Sequence, residues 1–297
     1  MSKRNIGIKS FLSIMTKTYK GWMSNQPFQL SAAVSYYALF SFPALVIIII
    51  QVTGIFYEKS RVKSRIMSEI QTVLGPESAE TIETIIKNAA ETDQSTFAII
   101  IGIATLLYGA TGMFISLQKS LNTIWKVQPS PKNEILKMIR DRFFSLGLIL
   151  IIGFLLLISL ILTALITAVT DWLQSIFPDV VIALLQVLNF IISIGLVTVL
   201  FALIFKYLPD AKIKWRDVWL GAFVTAVLFT LGKSALGIYF GMADPGSTFG
   251  AAGSIILILL WVSYSCLILF FGAQFTLVIA TKYSIGILPS SYAEKID

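Results

Sequence analysis

The 297-residue chain is 56% hydrophobic and 13% charged, with a net charge of +7 and a mean hydropathy of +0.83. A soluble domain carries roughly 25% charged residues; here the charges are clumped between long apolar runs, which excludes a soluble domain of useful size and points to an all-α integral membrane bundle. The chain has no histidine and a single cysteine, Cys266, so it lacks the commonest metal ligand and general base and cannot form an intrachain disulfide.

Residues 5–22 read as an amphipathic helix. Ile8, Phe11, Leu12, Met15, Tyr19 and Trp22 share one face, and Lys9, Ser13, Thr16, Lys17 and Lys20 the other. That pattern suits a helix in the membrane interface or one packed on the ends of a bundle. The first long apolar run begins near Leu30, too far in and too long for a signal peptide, so it is expected to stay in the membrane. Six spans are predicted, at 30–56, 96–117, 143–169, 180–205, 218–240 and 251–280. A helix needs ~20 residues to cross the hydrocarbon core, so the third and sixth are expected to tilt or project beyond it. The 58–95 loop predicts two short amphipathic helices broken at Gly75-Pro76. Val62, Ile66, Ile70, Val73 and Leu74 form the apolar face of the first, and Ala79, Ile82, Ile86 and Ala89 that of the second. This pair is expected to cap the bundle on the outer side.

Lysine and arginine set the orientation. Seventeen of the 23 fall in the N-terminal tail, the 118–142 and 206–217 loops and the 281–297 tail; the 58–95 loop holds five, and Lys233 lies within the fifth span. Both termini are therefore expected in the cytoplasm. The same asymmetry accounts for the net positive charge without a specific nucleic-acid partner.

Lys233 is the sharpest candidate for chemistry. An ionisable group near the centre of a span costs at least ~2.5 kcal/mol and usually faces the bundle interior or a cavity. The alternative, snorkelling, must cover the seven residues to Phe240, ~10 Å at the helical rise per residue. Asp244, at the outer mouth, is a candidate partner. Span 1 opens with Ser35 and Tyr36 among other polar residues, and Pro43 is a candidate hinge because it frees a backbone carbonyl one turn earlier. Tyr108, Gln118 and Asn122 of the second span and the loop after it, Gln186 and Asn189 of the fourth span and Gln274 of the sixth are further polar groups that each need a partner. They serve either as structural glue or as the lining of a polar path. Small residues such as Gly109 and Gly112 suit close helix packing, within the chain or in a homo-oligomer.

No P-loop, G-x-S-x-G, cysteine pair or metal-ligand cluster is present, so neither an enzyme nor a cofactor or metal site is expected. Five stretches taken in order resemble the YihY/BrkB family of bacterial inner-membrane proteins, which carries the old label ribonuclease BN. They are AAVSYYALFSFPAL (32–45), GATGMFISLQKSLNTIW (109–125), YLPDAKIKWRDVWLGAF (207–223), FGAAGSIILILLWVSY (249–264) and FGAQF (271–275). The resemblance implies a plasma-membrane protein with six spans and a role in transport or export of lipid-like molecules. It also implies a glutamate in many members where this chain has Gln274, and an amide there cannot carry a proton. The ribonuclease label fits poorly, because metal-dependent tRNA-processing nucleases use His and Asp clusters. The function expected is therefore a membrane transporter or exporter of an anionic, lipid-like substrate in contact with membrane lipids. The competing expectation is a non-transporting scaffold or envelope assembly factor.

Overall fold

The computed structural model describes residues 8–53, 58–74, 79–84, 87, 111–130, 147, 179–243 and 253–296. The expected third span apart from Gly147, the second span before residue 111, the 241–250 turn after Ala243 and the 118–142 loop after Ser130 lie outside them. The described chain is mostly helical. Helix α1 is Ile8–Ser24, α2 is Pro27–Thr53, α3 is Lys59–Leu74 and α4 is 111–124; α5 is Asp179–Tyr207, α6 is Trp215–Ala243 and α7 is Gly253–Tyr283. Among the described residues, Val187–Tyr207, Trp215–Phe240 and Ile255–Tyr283 are long and apolar enough to cross a membrane. They correspond to the fourth, fifth and sixth predicted spans. At 1.5 Å per residue, α5, α6 and α7 each run ~44 Å or more, longer than a ~30 Å hydrocarbon core.

Small residues set how α6 and α7 cross. A side chain on Gly221 of α6 would collide with the Thr276 hydroxyl of α7, and one on Gly272 of α7 would collide with the Thr225 hydroxyl of α6. Each threonine donates back to the glycine carbonyl one turn earlier on its own helix, Thr225 to Gly221 at 2.7 Å and Thr276 to Gly272 at 2.8 Å. The two Gly-x-x-x-Thr pairs therefore interlock reciprocally, each hydroxyl satisfied while its side chain fills the notch opposite. Farther along, Gly232 makes room for Tyr264 in the same way. Close backbone approach of this kind drives association where lipid supplies no hydrophobic contrast.

Two helix ends turn through a residue in the left-handed region, which glycine usually occupies. Gln26 (φ 51°) separates α1 from α2, and Pro27 opens α2 where a missing N–H does no harm. The Asn25 amide donates to the Gly21 carbonyl at 2.9 Å and caps the end of α1. Lys126 (φ 54°) follows α4 and turns the chain into a short strand. Helix α2 continues through Pro43 as one element.

The C-terminal tail ties the loops of one end together. Strand β1 (Val127–Pro129) pairs antiparallel with β4 (Ala293–Lys295), and β2 (Ala211–Lys212) pairs with β3 (Leu288–Pro289). Further bonds run from Ser290 N–H to the Asp210 carbonyl at 3.0 Å, from Ser130 N–H to the Tyr292 carbonyl at 2.8 Å and from Ile296 N–H to the Lys126 carbonyl at 2.9 Å. At the opposite end, α3 packs on α2, α6 and α7, with Ile70 and Ile82 buried in the main core. Lys63 of α3 bridges Glu83 of the helical segment 79–84 at 2.8 Å, and that ammonium holds the Glu83 carboxyl below the usual carboxylate range.

Candidate functional site

The polar residues of the bundle collect at the strapped end. After α5, the turn at Leu208-Pro209-Asp210 carries Asp210 inward, where it is 6% exposed. Asn122 meets it twice: its amide donates to the carboxylate at 3.0 Å, and its carbonyl accepts from the Asp210 N–H at 2.9 Å. Gln118, one turn earlier on α4, reaches the same carboxylate oxygen at 3.5 Å. Trp125 is buried against Phe205 and donates its indole N–H to the Ala273 carbonyl of α7 at 3.0 Å. On the other side of α7, Gln274 is buried, accepts from Asn25 at 3.1 Å and lies directly over Gly21. Asp217, in the first turn of α6, accepts from the Ser284 hydroxyl at the start of the tail. Buried carboxylates are tolerated only when donors replace their water, and this arrangement supplies them.

Helix α1 belongs to the same assembly through a face that overlaps only part of the apolar one of the sequence pattern: Met15 and Trp22 pack on the bundle, with Trp22 edge-on to Phe271 of α7 at 5.9 Å between centroids. Ile14, Thr18, Gly21 and Asn25, at helical spacing, turn toward α7, and Ile14 packs on Phe275 and Ile279. Phe11, Leu12, Tyr19 and Met23 stay exposed, with Lys17 and Lys20 beside them. The helix is therefore docked on the bundle and amphipathic toward its surroundings at once.

The remaining sequence candidates separate. Lys233 is half-buried on α6, 18 residues or ~27 Å beyond Trp215 and so well away from Asp210. Ser35 is buried and donates to the Ser31 carbonyl at 2.8 Å, while Ser31 in turn meets Ser263 of α7 at 3.1 Å. Tyr36 faces outward in an edge-to-face stack with Tyr37 and Phe40. Asn189 is exposed on α5. Tyr108, Asp244 and the side chains of Pro43 and Gln186 lie outside the described residues. The structure thus brings Gln118 and Asn122 together and places Gln274 at the same end of the bundle. Asp210, Asp217 and Asn25 were missed as site residues. Their signal was faint: two aspartates in a short loop that otherwise reads as a cationic, positive-inside segment.

A model of the family described as Virulence factor BrkB matches residues 18–294. This chain belongs to the BrkB family. Among its curated BrkB-like relatives, a UPF0761 membrane protein of Haemophilus influenzae is 26% identical over 91% of this chain and 94% of its own length. One from Mannheimia succiniciproducens is 25% identical over 88% of this chain and 87% of its own length. Another, from Verminephrobacter eiseniae, is 29% identical over 59% of this chain. The match covers 40% of the Verminephrobacter protein and 59% of a Tolumonas auensis relative, so this BrkB chain spans about half the length of several relatives it matches. No solved structure matches it. The strapped end is built from the stretches that carried the resemblance: Asn122 and Trp125 close one, Asp210 and Asp217 lie in another and Gln274 in a third.

Proposed function

We propose that this chain is a six-span plasma-membrane transporter or exporter of an anionic, lipid-like substrate, with both termini in the cytoplasm. The observation that carries the reading is Lys233, a half-buried cation deep in an apolar helix that is long enough to span a bilayer. A charge held at that depth is costly, and substrate paths are a recurrent reason for keeping one. In this reading Lys233 meets the anionic headgroup. The strapped end, where Asp210, Asn122 and Trp125 bind α4, α7 and the 208–212 turn together, is the fixed cytoplasmic base against which the outer half works. The amide Gln274 is part of that base and carries no proton, so proton coupling does not pass through it.

A scaffold reading draws support from the interlocked α6–α7 crossing and the strapped loops, which suit a rigid body. One experiment separates the two. Lys233→Cys in a Cys266→Ser background is labelled with a membrane-impermeant thiol reagent in cells and in inverted vesicles. Labelling from one side, blocked by a short-chain anionic lipid analogue, is the expected result. Absence of labelling from both sides removes the polar path and leaves the scaffold.

A further inference from the structure

The segment between α5 and α6 sorts its charges. Asp210 and Asp217 are 6% and 1% exposed, turned inward onto Asn122 and Ser284. Lys212, Lys214 and Arg216 are exposed, and Lys206 is half-buried. Four cations and two carboxylates are interspersed along the sequence, yet the surface they make is of one sign. Beside it stand three uncovered aromatic rings: Tyr207 is 52% exposed, Trp215 41% and Trp219 44%. They form a chain of contacts, Tyr207 to Trp215 at 6.1 Å between centroids and Trp215 to Trp219 at 6.2 Å. The Lys206 ammonium lies 5.6 Å from the Trp215 ring centre and donates to the Ile213 carbonyl, so this corner is held in shape. One turn beyond Trp219, Phe223 is exposed and carries the apolar stripe onto the spanning part of α6.

We infer that this corner binds the headgroup of an anionic phospholipid, distinct from any substrate that passes Lys233. Lys212, Lys214 and Arg216 take the phosphate and any further headgroup charge. Trp215 and Trp219 sit at the glycerol level, where amphipathic rings settle, and Phe223 meets the acyl chains. A zwitterionic lipid would satisfy the rings equally but brings its own cation beside the phosphate, so it adds no net counter-charge to the three basic residues. The inward turn of both aspartates is what makes the site selective, because either one facing outward would repel the phosphate. The inference rests on the reading that the Trp215 end of α6 lies at the membrane interface.

The test is quenching of tryptophan fluorescence by bromine-labelled lipid chains. The full chain is reconstituted in phosphatidylcholine bilayers containing either brominated phosphatidylcholine or brominated phosphatidylglycerol. The contribution of Trp215 and Trp219 is taken as the difference from the Trp215→Phe/Trp219→Phe variant. Brominated phosphatidylglycerol is expected to quench that contribution at lower mole fraction, by about fivefold per engaged cation. Lys212→Gln/Lys214→Gln/Arg216→Gln should abolish the preference, and Lys212→Arg/Lys214→Arg should keep it. Equal quenching by both lipids overturns the site while leaving the membrane placement intact. Quenching by neither overturns the placement as well. Loss of the preference in the presence of soluble glycerophosphate would assign the corner to a free phosphate ester and overturn the lipid assignment.

Discussion

The two halves of α6 differ. From Trp215 to Thr230 the helix is locked: Val218, Ala222 and Ala226 are buried, Gly221 and Thr225 interlock with α7, and Asp217 is tied to the tail. From Leu231 to Ala243 it is looser, with Leu231, Ile238 and Tyr239 exposed and Lys233 half-buried; Gly232 is its close-approach point to α7. Polar groups in the first half satisfy one another and hold the bundle. The cation in the second half, Lys233, is the one proposed to meet substrate. In the proposed reading, location along one helix rather than residue type separates structural polarity from functional polarity.

The sharpest way to break this contrast is to fill a notch in the locked half. Gly221→Leu should overpack the α6–α7 crossing and cost about 3 kcal/mol, read as a large fall in thermal midpoint in detergent. Leu231→Ala, on the exposed side of the other half, should move the same midpoint by only ~0.5 kcal/mol. If the two variants fall equally, the contrast fails. A coupling test sharpens it: Thr276→Ala in the Gly221→Ala background should recover stability, because the hydroxyl that meets the new methyl is gone.

A smaller effect is expected at the buried carboxylate. Asn122→Ala removes a donor from Asp210 and leaves the Asp210 N–H without that acceptor, a loss of about 2 kcal/mol. Asp210→Asn, which keeps an acceptor, should lose less than Asp210→Ala under denaturant. Lys233→Gln should leave this midpoint nearly unchanged while altering flux; a stability loss as large as that of Asn122→Ala would make Lys233 structural.

The mildest effect is expected from the strap. Deleting residues 284–297 removes β3 and β4, whose bonds are each worth about 1 kcal/mol net, partly offset because the loops they cover regain water. The readout is limited trypsin digestion. Cleavage after Lys126 and Lys212 should quicken severalfold while the spanning helices stay protected. Unchanged digestion would mean the loops hold their shape without the tail.

The three spans that the described residues show were legible because a run of about 20 apolar residues is a local property that needs no partner to be read. The helix before Gly75-Pro76 was legible by periodicity, and Ile70 and Ile82 are both buried in the core, on the faces that the pattern marks as apolar. The docked face of α1 was legible only in part. A hydrophobic pattern picks out Met15 and Trp22, which pack on the bundle, but also Phe11, Leu12 and Tyr19, which are exposed, and it passes over Ile14, Thr18 and Gly21, which face α7. In a bilayer large apolar side chains gain little by leaving lipid, so helices also meet through small residues, and a wheel sorted by hydrophobicity marks only part of the contact. Ser35 shows the same limit: its hydroxyl spends itself on its own helix, a choice hidden in a list of polar residues.

Composition and pattern alone determined that this is a helical membrane chain, which segments are apolar enough to span and where its positive charge concentrates. Each follows from the cost of placing polar backbone or charge in hydrocarbon, paid residue by residue. The tertiary structure decided that Asn122 and Asp210, 88 positions apart, share a bond, that the tail pairs with two loops and that the 206–217 segment hides its acids and shows its bases. Those outcomes depend on which helix ends meet, and only close packing between distant segments selects them.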